Sequence, residues 1–239
     1  VGDPHVHQPR AAGPAGRPGR PDGPGRLTAI GGIAIGAEQH YFTERPQAAH
    51  RPGLVHVALP GLYLALETDA GVFSAGRLDP GTRLLLDTVP DPPPAGNLLD
   101  LGSGYGPLAL VLASRSPGAA VWAVDVNQRA LSLCARNADR AGLDNVRCVT
   151  PDDPALPERL ETIWSNPPAR IGKQALHDVL TTWLCRLAPG GSAYLVVQRH
   201  LGADSLHRWL EEAGWAVTRV AARTGYRVLR ADAAGRPAP

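Results

Sequence analysis

A chain of 239 residues, 44% of them hydrophobic, is long enough to bury one core of ordinary domain size. A net charge of +2 permits a nucleic-acid partner without demanding one, and with no apolar run near ~18 residues and no signal-peptide pattern the expectation is a soluble, cytoplasmic protein without membrane contact. Cys134, Cys148 and Cys185 show neither Cys-x-x-Cys spacing nor pairing with histidine, so neither a zinc site nor a disulfide framework is indicated.

Val1 to Arg26 holds six prolines, six glycines and four arginines with almost nothing to bury. Such a segment cannot offset its chain entropy by packing, so residues 1–36 are expected to be a disordered arm, either a basic contact to RNA or a solvated tail. From about Glu38 the pattern changes. Leu54–Leu59 and Leu62–Thr68 read as two strands around a Pro60-Gly61 turn, and Asp79 and Gly81 lead into a short helix over 82–89. Asp91-Pro92-Pro93-Pro94-Ala95-Gly96 is the linker that ends this extension.

Leu98-Leu99-Asp100-Leu101 then reads as a buried strand with one acid at its exit, followed by Gly102-Ser103-Gly104-Tyr105-Gly106 and an apolar run with helical spacing. A strand turning through glycines into a helix offers backbone N–H groups and a positive helix end to a ligand. Val121-Trp122-Ala123-Val124-Asp125 follows as a second apolar strand ending in an acid, 25 residues past Asp100, placed to reach the hydroxyls of a ribose. Dinucleotide dehydrogenases use Gly-x-Gly-x-x-Gly, and here Pro107 stands where their third glycine belongs. The Gly-x-Gly-x-Gly spacing with an acid two residues ahead resembles instead the S-adenosylmethionine site of class I methyltransferases.

The β-α rhythm continues through a helix over Gln128–Ala141, a strand over Val146–Val149, Asp152-Asp153, a strand over Thr162–Ser165 and a helix over Lys173–Leu187. A strand over Ala193–Gln198, a helix over Asp204–Ala213 with Asp204 as N-cap, and a hairpin of Trp215–Ala222 with Tyr226–Leu229 complete it. This is the pattern of an α/β fold with a doubly wound, mostly parallel seven-stranded sheet and an antiparallel strand at its C-terminal end.

A second chemical motif, Asn166-Pro167-Pro168, follows the Thr162–Ser165 strand. Two prolines fix the backbone and remove two N–H donors, leaving the Pro167 carbonyl and the Asn166 side-chain oxygen as acceptors for a substrate –NH₂. An exocyclic amine is a poor nucleophile because its lone pair is delocalised. Accepting both of its hydrogens favours the pyramidal form and stabilises the charge that grows as the amine attacks a methyl group.

Thr68-Asp69-Ala70-Gly71-Val72-Phe73-Ser74, Asp100 to Gly106, Asp125 and Asn166-Pro167-Pro168 together resemble the methyltransferase small domain family, which includes the ribosomal RNA guanine-N2 methyltransferases. The resemblance runs from about His40 to Leu229 and implies a Rossmann-like sheet with a small N-terminal β extension. It implies that Asp100, Gly102 and Gly104 hold the methionine part of S-adenosyl-L-methionine, that Asp125 binds the ribose, and that Asp152 or Asp153 lies near the adenine amine. Asn166 and Pro167 would hold the target amine as the catalytic pair, with Phe73, Pro168, Arg170 and Tyr226 as substrate contacts and no metal. The implied division is an arm over 1–36, a β extension over 37–95, the methyltransferase domain over 96–232 and a disordered tail over 233–239.

One departure stands out. Relatives with this motif commonly carry Phe or Tyr after the second proline, where a ring stacks on a flat base, and here that position is Ala169. Stacking contributes about 1–3 kcal/mol per base, so Phe73 or Tyr226 must supply the face or the target is not a stacked base. Guanine N2 in ribosomal RNA is the first expected substrate; a protein glutamine, a small-molecule amine, or a non-catalytic RNA- or protein-binding role are the alternatives. Arg170, Lys173, Arg199 and Arg227 are either a phosphate track at the mouth of the site or ordinary solvated charge. The oligomeric state is left open.

Overall fold

The computed structural model describes residues 51–74, 76–168 and 171–233, so the expected arm, the start of the extension, Ala169, Arg170 and residues 234–239 of the expected tail lie outside the described residues. Gly53–Leu59 (β1) and Leu62–Thr68 (β2) form an antiparallel hairpin, and Pro80–Thr88 (α1) follows. The chain continues as Ala95–Leu101 (β3), Pro107–Arg115 (α2), Gly118–Val124 (β4), Gln128–Ala141 (α3), Val146–Val149 (β5) and Leu160–Ser165 (β6). Then come Lys173–Leu184 (α4), Leu187–Gln198 (β7), Ala203–Glu212 (α5), Ala216–Arg223 (β8) and Tyr226–Asp232 (β9).

Seven strands form one sheet in the order β5-β4-β3-β6-β7-β9-β8. The first five are mutually parallel, and β9 runs against both its neighbours, one place in from the edge. The β8–β9 turn has positive φ at both Thr224 (48°) and Gly225 (80°), the backbone that matches the twist of paired strands.

Alternation along each strand sorts the core into two layers. Leu98, Val121, Trp164, Val196 and Val228 face α1, α2, α3 and the β1–β2 hairpin. Their neighbours Leu99, Trp122, Ile163, Val197 and Leu229 face α4 and α5. Helix α2 is buried from Pro107 to Ala113, which accounts for an apolar sequence with no polar face: the extension covers the side a surface helix would give to water. Among the described residues, the extension therefore shares the core of the sheet.

Asn137, 1% exposed on α3, fastens that cover. Its side chain accepts from Glu67 N–H (2.7 Å) and donates to the carbonyls of Glu67 (2.9 Å) and Tyr105 (2.9 Å), supplying the edge of β2 with the bonds a neighbouring strand would make. Asn137→Ala leaves these groups without partners and is expected to lower unfolding free energy by roughly 1–3 kcal/mol. Denaturant titration checks this, and an unchanged midpoint would contradict it.

Two expected boundaries need correction. The helix expected to run to Leu187 stops at Leu184, and Leu187 instead pairs with Leu160 as the start of β7. Leu184 and Leu187 are both buried in one cluster and lie three residues apart, so helical periodicity alone could not separate them. Asp204 is not the N-cap of α5, a position taken by Gly202 at φ 104°. Its carboxylate sits in the first turn and pairs with Arg227 and, at 3.6 Å, with Arg219. There it still complements the positive helix end.

Candidate functional site

The register of the sheet brings the two sequence motifs together. Leu101 at the end of β3 is level with Val124 of β4 on one side and Ser165 of β6 on the other. The residues that follow, Gly102, Asp125 and Asn166, therefore emerge from one edge. Strands lie about 4.8 Å apart, so Asp125 and Asn166 flank the glycine loop at roughly 10 Å from each other. Strand order reverses beside β3, and the carboxyl ends of strands at such a switch point form the usual ligand crevice. Ser165 Oγ donates to the Leu101 carbonyl at 2.7 Å and locks the β6 exit to the β3 exit.

The glycine loop is held from β4, with Gly102 N–H and Ser103 N–H both donating to the Val124 carbonyl at 2.8 and 3.0 Å. Gly102 and Gly104 have φ of 77° and 55°, and a Cβ on either would meet nothing within 4 Å. Glycine is required there by the backbone, and the space above is open to a ligand. Gly106 shares the positive φ, at 96°, and is constrained by packing besides, because a Cβ would lie 2.6 Å from Cys134 Sγ where α2 meets α3.

Asp125 ties the loop together: Oδ2 accepts from Gly104 N–H (2.8 Å) and Oδ1 from Asn127 N–H (2.8 Å). Burial raises its titration, and these N–H groups oppose the rise. Asn127 caps α3, and its Nδ2 donates to the Gly71 carbonyl (3.0 Å), while Arg129 Nη1 donates to the Ala70 carbonyl (2.8 Å). The segment carrying Phe73, whose ring is 43% exposed, is thus anchored beside Asp125.

Asp100 is 1% exposed; Oδ2 accepts from Ala109 N–H at 2.8 Å, while Oδ1 is buried with no partner. Ser103 Oγ is likewise buried and unpartnered. Two orphaned buried polar atoms beside an open glycine cradle fit a ligand that supplies their bonds, as the amino-acid part of S-adenosylmethionine would. Burial pushes the Asp100 carboxyl up to about 8, with the Ala109 bond pulling down and the Asp125 charge adding to the rise. The folded, ligand-free protein therefore binds a proton that the unfolded chain has released, and this group's contribution to stability is lost as pH rises from 3.8 to about 8. Asp100→Asn is expected to flatten that part of a melting-temperature profile. An unaltered slope would contradict it.

Asn166 meets the N-terminus of α1. Its Nδ2 donates to Asp79 Oδ1 (2.8 Å) and Thr82 Oγ1 (3.0 Å), so both amide hydrogens are used and Oδ1 is the end left to accept. The Tyr226 ring closes over the same turn: a Cβ on Gly81 would lie 2.6 Å from it. Its hydroxyl accepts from Gln198 Nε2 at 2.6 Å. The Pro168 carbonyl accepts from Ile171 N–H at 3.0 Å, and Pro167 is buried.

The structure thus groups Asp100, Gly102, Gly104 and Asp125 around one cradle, with Asn166, Pro167 and Tyr226 on its other flank. Asp152 and Asp153 lie beyond the end of β5; Asp152 is exposed, and Asp153 Oδ1 accepts from Ala155 N–H in a local turn. A Thr150 hydrogen bond lowers the titration of Asp152. Lys173 and Arg199 are exposed, whereas Arg227 is engaged by Asp204. Sequence reasoning missed four contributors: Asp79 and Thr82, Ser103, and Tyr105, whose hydroxyl is buried without a partner and held from ionising by burial and by the Asp79 charge. Among the described residues no three His, Cys, Asp or Glu side chains cluster as a metal site, and no helix is long and apolar enough to cross a membrane.

Comparison with known proteins agrees with this geometry. Residues 63–230 match the methyltransferase small domain family. The chain is 33% identical to the uncharacterized protein YbxB of Bacillus subtilis over 81% of its own length and 98% of that protein. It is 32% identical to ribosomal RNA small subunit methyltransferase C of Shewanella amazonensis, over 66% of this chain and 47% of that one. The fold superposes with a TM-score of 0.60 and 28% identity on the T. thermophilus 16S rRNA N2 G1207 methyltransferase RsmC, solved with AdoMet and guanosine, covering 78% of this chain and 51% of that one. The chain therefore spans about half the length of the RNA methyltransferases it matches.

Proposed function

The chain belongs to the methyltransferase small domain family and is an S-adenosylmethionine-dependent methyltransferase, and from that premise we propose that it methylates an exocyclic amine, the N2 of guanine in ribosomal RNA. The observation that carries this reading is the Asn166 amide, whose nitrogen is committed to Asp79 and Thr82 while its oxygen is left to accept.

When bound, the cofactor supplies a sulfonium methyl group as the electrophile. Asp100, Ser103 and the glycine loop would hold its amino-acid part, and Asp125 its ribose. Asn166 Oδ1 and the Pro167 carbonyl each accept a hydrogen from the target amine, stabilising the positive charge that appears on nitrogen only in the transition state. Positioning supplies much of the remaining acceleration. No strong base is required, because the amine proton becomes acidic once the methyl group has arrived. Phe73 or Tyr226 would supply the ring that faces a base, since Ala169 offers none.

Ala169 favours a second reading, in which the amine belongs to a protein glutamine or a small molecule. Incubation with methyl-labelled cofactor and, in parallel, total RNA, total protein and a small-molecule extract separates them. Label in RNA is the expected result, and label confined to either other pool overturns the choice of substrate.

A further inference from the structure

We infer that Asp79, with Thr82, is a positioning residue that fixes which end of the Asn166 amide meets the substrate. This rests on the reading that Asn166 Oδ1 accepts a hydrogen from the target amine.

A primary amide can turn over about its last torsion and present either its oxygen or its NH₂ at nearly the same place. Only one orientation suits an amine target, which has hydrogens to give. Here the choice is made by the first turn of α1, 87 residues earlier in the chain. Asp79 Oδ1 accepts from Thr82 N–H at 2.9 Å as the helix N-cap, and the same atom accepts from Asn166 Nδ2 at 2.8 Å. Thr82 Oγ1 takes the second amide hydrogen at 3.0 Å. A flipped amide would bring its oxygen against the acceptor-only Asp79 carboxylate and lose that bond, whereas the Thr82 hydroxyl can donate as well as accept, so Asp79 makes the choice. The Asp79 carboxylate polarises the amide toward a more negative Oδ1.

The surrounding residues preserve this arrangement. Asp79 is 9% exposed and Thr82 is 4% exposed, so water competes weakly for the bonds. Gly81 between them has no room for a side chain, because a Cβ would stand 2.6 Å from the Tyr226 ring and 2.9 Å from Asp79 Oδ1. Asp79-Pro80-Gly81-Thr82 is therefore one unit that caps a helix and aims an amide on a distant loop. An ordinary N-cap would need only the first of these tasks.

The two tasks can be separated. Serine caps helices as well as aspartate does, but its hydroxyl is one atom shorter and cannot also bridge to Asn166. Asparagine keeps an Oδ1 of the same reach. In the full chain, with labelled cofactor and total RNA, Asp79→Ser is expected to lower turnover about 10²-fold, the usual cost of a misplaced reacting group, with melting temperature and cofactor affinity unchanged. Asp79→Asn should recover most of that loss. In an Asn166→Ala background, Asp79→Ser should add less than about twofold, because residues acting through one another are not additive. A substrate-free readout accompanies these: the Asn166 side-chain NH₂ signals, identified by their loss in Asn166→Ala, shift in the ¹H–¹⁵N spectrum of Asp79→Ser.

Wild-type turnover in Asp79→Ser, a loss that multiplies with that of Asn166→Ala, or unmoved NH₂ signals would each overturn the positioning role. If Asn166→Ala is crippled while Asp79→Ser is not, only the positioning role falls. If Asn166→Ala keeps wild-type turnover, the reading of the site falls and this inference with it.

Discussion

Asn166→Ala is expected to lower turnover by on the order of 10²–10³ and to leave cofactor affinity within about twofold of wild type. The magnitude is that of removing one preorganised group aimed at transition-state charge, about 2.7–4 kcal/mol. Affinity is spared because Asn166 lies on the far flank of the glycine loop from Asp125 and makes its bonds to Asp79 and Thr82. Asn166→Asp sharpens the test. It keeps an acceptor of equal length, but one carboxylate oxygen must then face Asp79 Oδ1 where the amide nitrogen stood, 2.8 Å away. Two carboxylates at that distance cannot both ionise readily, so they share a proton. That proton takes the place of one amide N–H and leaves the other oxygen to accept, so Asn166→Asp is expected to keep more activity than Asn166→Ala. Single-turnover rates with labelled cofactor check both. Wild-type turnover in Asn166→Ala would reduce the motif to a turn and favour a non-catalytic binding role.

Asp125→Ala is expected to weaken S-adenosylmethionine binding by about 3 kcal/mol, or some 10²-fold, the upper end for a hydrogen bond to a charged group. The upper end is expected because the residue does two jobs. Its carboxylate would bind the ribose hydroxyls, and it also accepts the N–H groups of Gly104 and Asn127, holding the glycine loop against the start of α3. Loss of the Asn127 bond also loosens the residue that carries the segment from Gly71 to Phe73. Calorimetric titration measures the effect directly; an unchanged affinity would remove Asp125 from the cofactor site.

Much of the site was legible in the sequence because it is built from local motifs at strand ends. Gly102 to Gly106 and Asp125 each occupy the residues just past an apolar strand, and strand exits in a doubly wound sheet share one edge. Asn166-Pro167-Pro168 is legible for the same reason. What escaped were pairings between distant segments. Nothing in the sequence places Asp79 against Asn166, or Asn137 against Glu67, 70 residues apart, because such contacts follow from how the extension docks and not from any periodicity. Asp79 was visible only as a residue leading into a helix, one of its two tasks. The orphaned Ser103 and Tyr105 hydroxyls escaped for another reason: both lie inside the glycine loop, where attention falls on the glycines. The exit of α4 was misplaced because Leu184 and Leu187, three residues apart and buried in one cluster, carry the helical spacing across the boundary.

The central claim is that Asn166 presents an acceptor to the N2 amine of a guanine. Its most direct test is digestion of total RNA to nucleosides after incubation with methyl-labelled cofactor and the full chain, wild type beside Asn166→Ala. The expected result is label in N2-methylguanosine with wild type and its near loss with Asn166→Ala. Label in any other nucleoside, or equal label in N2-methylguanosine from both proteins, would contradict it.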